Sequence, residues 1–155
     1  MRPLNNKFMA EIIWNGNFPE LIKPKVSEIL GNFSWIFPAW LQRLTVHYKP
    51  DDPDSSAFTS VAHDYRFANI TICGYWVNET PDAQIEQIIH ELIHIHFSPL
   101  KNYAVETVET LCGGEDKKMF QIIKNELVSK NEQATQDFAY SIANKFKGEN
   151  KNEAD

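Results

Sequence analysis

Apolar residues at alternate positions mark three stretches in the first half of the chain. Leu44-Thr45-Val46-His47-Tyr48 alternates cleanly and closes on the turn cluster Lys49 to Asp54, which predicts a strand. Phe58-Thr59-Ser60-Val61-Ala62-His63 predicts a second strand within the segment from Ala57 to Arg66. The clearest strand runs from Asn69 to Val77, where β-branched and aromatic residues dominate. Upstream, Phe18 to Leu30 predicts a helix broken or restarted at Pro24 and ended by Gly31, and a second short helix is expected after Pro38, through Trp40-Leu41-Gln42.

The period changes after residue 80. Ile85, Ile88, Ile89 and Leu92 recur at helical spacing. Thr80 suits the N-cap, Pro81 the first helical position and Asp82 the positive end of the helix dipole. Ser98-Pro99 predicts that this helix ends near Phe97. Tyr103 to Leu111 reads as a further helix, with Glu106 and Glu109 on a separate face from Val105, Val108 and Leu111. A mixed sheet followed by a helical second half is an α+β arrangement. One domain is expected over residues 1–147, with 148–155 a frayed polar tail that lacks an apolar anchor.

Composition narrows the function classes. A chain of 155 residues with 43% hydrophobic content can bury a core without disulfides or metal staples. No run of 18 apolar residues exists, so no membrane helix is expected. The start, Met1 to Ile13, is too short and too charged for a signal peptide, which points to the cytoplasm. The net charge of −6 argues against a nucleic-acid partner, and the nearest basic cluster, Lys117-Lys118 with Lys124, is interrupted by acids. Cys73 and Cys112 lack paired spacing and are expected as buried free thiols.

Against this background one segment carries chemistry. His90-Glu91-Leu92-Ile93-His94 places two histidines about 40° apart on one helical face, so both imidazoles can reach one metal ion. Glu91 stands near enough to take a proton from a water activated by that metal. Both histidines point away from the apolar stripe, and Gln87 shares their face. His96 falls on the apolar side and is expected as a core or edge histidine rather than a ligand. A catalytic zinc takes three protein ligands plus water, leaving one to find among Glu106, Glu109, Glu115, Asp116, Glu126 and Glu132.

The stretch Asn131-Glu132-Gln133-Ala134-Thr135-Gln136-Asp137 resembles the Asn-Glu-x-x-x-Asp segment of thermolysin-like gluzincins, which follows their His-Glu-x-x-His helix. The resemblance covers roughly residues 68 to 146 and is nearest to small intracellular proteins of this type from bacteria and their phages. It implies a small zincin-like domain, zinc held by His90, His94 and Glu132, Glu91 as general base, and a peptide or protein substrate. Glu126 and the Glu106–Glu109 pair stay open as alternative ligands. The family's aspartate falls on Gln136, which can accept a hydrogen bond from His90 but carries no charge, and Asp137 is one step off that face. Ser129 to Glu132 also fits a capping box, which would compete for the Glu132 carboxylate. The strand before the motif helix is placed to border the cleft and, if at the sheet edge, to hold an extended peptide. Tyr103, Tyr140, His96 and His63 are unranked candidates to stabilise the oxyanion. The rival expectation is a latent or non-catalytic zinc-binding protein that acts by binding a host partner.

Overall fold

The computed structural model describes residues 10–52, 55–112 and 117–152. Its fold is α+β. The strands are β1 (Glu11–Asn15), β2 (Arg43–Lys49), β3 (Ala57–Ala62) and β4 (Phe67–Cys73). The helices are α1 (Ile22–Asn32), α2 (Gly74–Val77), α3 (Pro81–Leu111) and α4 (Lys117–Asn152).

Strand order is β1-β2-β4-β3, with β1 and β4 parallel to β2 and β3 antiparallel to β4. The alternation in β2 and β4 places Leu44, Val46, Ala68, Ile70 and Ile72 on one face, all fully buried. Registers that pair Leu44 with Ala68 and Val46 with Ile70 make that face a continuous apolar surface. Val26 and Leu30 of α1 and Ile88, Ile89, Leu92 and Ile95 of α3 pack within the same core. Burying each such side chain stabilises the fold by roughly 1.5–3 kcal/mol.

Several boundaries differ from those read in sequence. β1 was not among the predicted strands, because Ile12-Ile13-Trp14 is an unbroken apolar run with no alternation to read. The predicted helix from Phe18 starts at Ile22 and runs through Pro24, which occupies the first turn, where a missing N–H breaks no intrahelical bond. It also passes Gly31 to end at Asn32. No helix follows Pro38; a single 3₁₀ turn at Ser34–Ile36 precedes it instead. The strand expected to Val77 stops at Cys73, where Gly74 lets the chain pass the Pro50 carbonyl so closely that a Cβ would sit 2.5 Å from its oxygen. The chain turns there into α2, whose Trp76 indole donates to the Gln84 carbonyl while the Gln84 amide donates back to Trp76 O, at 3.2 and 2.9 Å. That reciprocal clamp sets the start of α3.

α3 opens as expected, with Thr80 Oγ1 accepting from Ala83 N at 3.3 Å and Pro81 in the first turn. It does not end near Phe97. It continues through Pro99 to Leu111, absorbing the helix predicted from Tyr103. A proline there forfeits one backbone bond, and packing along α4 outweighs that loss. The two helices run antiparallel, so Asp82 meets Lys147 at 3.0 Å while His90 and His94 meet Glu132. α4 extends to Asn152, so the first residues of the expected polar tail continue it, and residues 153–155 lie outside the described residues. Among the described residues no helix is long and apolar enough to cross a membrane.

Candidate metal centre

His90 and His94 leave the core side of α3 because Ile88, Ile89 and Leu92 occupy it. Their Nε2 atoms converge to 2.9 Å, with rings nearly perpendicular at 83°. Glu132 reaches the same point from α4, its Oε2 lying 3.2 Å from His94 Nε2 and 3.6 Å from His90 Nε2. Ligands at zinc distances of about 2.1 Å in a tetrahedral shell stand roughly 3.3–3.4 Å apart. The observed separations bracket that value, so these residues fit a small divalent ion. The group His90, His94 and Glu132 could hold a metal, and the donor set of two imidazoles and one carboxylate suits zinc chemistry.

The capping box predicted at Ser129 does not form. α4 passes through it without a break, and no helix start exists for Glu132 to cap. Its carboxylate is thereby left to the histidines. The other ligand candidates stand elsewhere. Glu126 pairs with Lys130 at 3.8 Å, Glu106 lines a separate cavity beside Tyr65 and Tyr103, and Glu109 is exposed. Glu115 and Asp116 lie outside the described residues.

Glu91 is 3% exposed and lines the same cavity as the two histidines. Thr59 Oγ1 donates to its Oε2 at 2.7 Å, and Gln87 Nε2 donates to its Oε1 at 2.9 Å. Burial pushes the Glu91 carboxyl pKa up; the Thr59 bond, His90 and the Gln87 bond pull it back down, and Glu132 adds a smaller upward push. A carboxylate raised in this way is better matched to moving protons near neutral pH. Burial also pushes the His94 pKa down, opposed by Glu132 and aided by His90 and Lys101, which favours the neutral ring that a metal requires.

Gln136 does not accept from His90. Its amide donates to Glu86 at 2.7 Å, and His90 Nδ1 is buried without a protein partner among the described residues. A cavity of about 130 Å³ beside that ring, lined by Glu79, Ala83, Glu86, Gln87, His90 and Gln136, has room for a water to accept a hydrogen bond from Nδ1–H. His96, expected as a core or edge histidine, is exposed; it donates from Nε2 to the Ile36 carbonyl and takes no part in the site. His63 and Tyr103 line the other cavity and Tyr140 is exposed, so none of the four oxyanion candidates lines this one.

The cavity at the centre has a volume of about 290 Å³ and holds His90, Glu91, His94 and Glu132 together with Ala57 to Thr59, Gln87, Ser98 and Lys101. Its strand is β3, not the β4 that precedes α3 in sequence, because β4 is interior to the sheet. Thr59, Ser98 and Lys101 were missed as site residues. Thr59 was legible as the one polar residue on the Ala57, Thr59, Val61 face of its strand. Lys101 was hidden by ending the helix at Phe97, since only a helix that continues through Pro99 brings it onto the histidine face. Cys73 and Cys112 are free thiols; Cys73 is buried as expected, whereas Cys112 is only partly buried. No protein family, curated protein or solved structure matches this chain.

Proposed function

We propose that this chain is a zinc-dependent metallopeptidase of gluzincin type, with His90, His94 and Glu132 as ligands and Glu91 as general base. The observation that carries the reading is the convergence of three donors from two helices beside a buried, doubly hydrogen-bonded carboxylate. Zinc bound there supplies Lewis acidity, bringing the pKa of water towards neutrality and polarising a carbonyl. Glu91 takes the proton of the attacking water and passes it to the leaving amide nitrogen. Thr59 and Gln87 hold its two oxygens in place for both transfers.

β3 is suited to hold the substrate backbone. Ser56 O accepts from Cys73 N at 2.9 Å, so by antiparallel alternation Phe58, Ser60 and Ala62 pair with β4. Ala57, Thr59 and Val61 then turn their N–H and C=O groups to the free edge beside the cavity, where an extended peptide can add as a strand. The acidic chain offers no basic track for nucleic acid, and free thiols suit a reducing cytoplasm.

Zinc content of protein purified without added metal tests the site, compared between wild type, Glu132→Ala and Glu126→Ala. About one zinc per chain, lost in Glu132→Ala and kept in Glu126→Ala, is expected. Peptide cleavage in a mixed pool, read by mass spectrometry, should then disappear in Glu91→Gln with zinc retained. A Glu91→Gln protein that keeps the biological effect of the wild type would instead establish a binding role.

A further inference from the structure

Among the described residues, Lys101 is the one cation lining the cavity that holds His90, Glu91, His94 and Glu132. It stands about two turns beyond His94 on nearly the same face of α3, and side chains on a helix lean towards its N-terminus, so its ammonium is carried back over the site. The residue is half-buried, and no acidic side chain lies within ion-pair distance of it among the described residues. The cavity's own carboxylates are otherwise engaged: Glu132 faces the two imidazoles, and Glu91 is held by Thr59 and Gln87. A half-buried ammonium with free donors is costly unless a ligand completes it.

We infer that Lys101 is the anion-holding residue of this site and donates to a negatively charged oxygen of the bound substrate. The inference rests on the proposed peptidase reading. During hydrolysis the water oxygen bonds to the carbonyl carbon, and the carbonyl π pair moves onto its oxygen, which becomes the oxyanion. Lys101 Nζ–H donates to that oxygen while keeping its proton. The pair then returns to re-form C=O as the C–N bond breaks, and the amine leaves with the proton carried by Glu91. The same ammonium could serve a second source of anionic oxygen, the terminal carboxylate of a peptide. Both place a negative oxygen against Lys101, a donor already in place where that charge develops.

The test measures binding of two metal-directed probes to zinc-loaded protein by calorimetry. One is a succinyl hydroxamate with a free carboxylate and the other is its amide. Wild type, Lys101→Met and Lys101→Arg are compared, with zinc content checked in each. Lys101→Met should weaken binding about ten- to hundred-fold, and Lys101→Arg should recover most of it. Weakening with both probes assigns Lys101 to the oxyanion, and weakening with the free acid alone assigns it to a terminal carboxylate. Normal zinc content with equal affinities in wild type and Lys101→Met overturns this inference and leaves the metal site standing. Failure of the wild type to take up zinc removes the peptidase reading and the inference with it.

Discussion

Thr59 and Glu91 are joined by a 2.7 Å hydrogen bond that ties the edge strand β3 to the buried turn of α3 between the two histidines. Sequence separates them by 32 positions, and only the sheet order brings them together. The bond orients a carboxylate that burial would otherwise leave poorly solvated. Thr59→Val keeps the β-branched shape and removes the donor, so Glu91 Oε2 loses its partner. The metal-free protein should lose about 1–3 kcal/mol in urea unfolding, and Thr59→Ser should restore most of it. A Thr59→Val protein as stable as wild type would mean that the bond contributes nothing.

Glu91 itself should stabilise the metal-free fold less as pH rises. Burial raises its folded-state pKa, so the folded chain binds that proton more tightly than the unfolded chain. The resulting stability is fully present below the unfolded carboxyl pKa of about 4.3 and is lost as pH rises through the raised value. Above that value an ionised, buried carboxylate is a cost. Glu91→Gln should therefore be more stable than wild type at neutral pH, by a margin that shrinks on acidification. Chemical unfolding of the metal-free proteins across this range checks it, and a margin independent of pH would sink it.

Pro99 sits inside α3, where its ring excludes a backbone hydrogen bond. Pro99→Ala restores an N–H donor while adding some unfolded-state freedom, and a net gain of about 1–2 kcal/mol is expected. Zinc content should not change, since His90 and His94 precede the substituted turn. Loss of stability on substitution would show that packing of the proline ring outweighs the missing bond.

Cys73 is fully buried, and burial followed by the nearby Asp52 charge pushes its thiol pKa up. Cys112 is only half-buried. A thiol reagent at mildly alkaline pH should label Cys112 in the folded protein and Cys73 only after unfolding. Peptide mapping of the labelled sites decides this, and early labelling of Cys73 would contradict its burial.

The motif helix was legible because its information is local. Thr80, Pro81, the isoleucine stripe and the His90–His94 spacing all act within a few turns, and the structure has each where local rules put it. β2 and β3 were legible for the same reason, since alternation records a half-buried strand directly. Glu132 was reached through resemblance, against a local capping signal at Ser129 that the structure does not use.

Helix ends were misread wherever a local signal was outweighed by packing. Ser98-Pro99 is a sound stop signal in an isolated chain, and the α3–α4 pairing overrides it. That single override also determines whether Lys101 belongs to the site. Sequence alone determined the α+β order, the apolar stripes and the pair of imidazoles on one helical face, because those follow from periodicity. Tertiary structure decided that β3 rather than β4 borders the cavity, that Thr59 and Gln87 hold Glu91, and that Glu132 joins the two histidines in a group that could hold a metal. Such relationships depend on which elements share the core, and no short-range pattern encodes that choice.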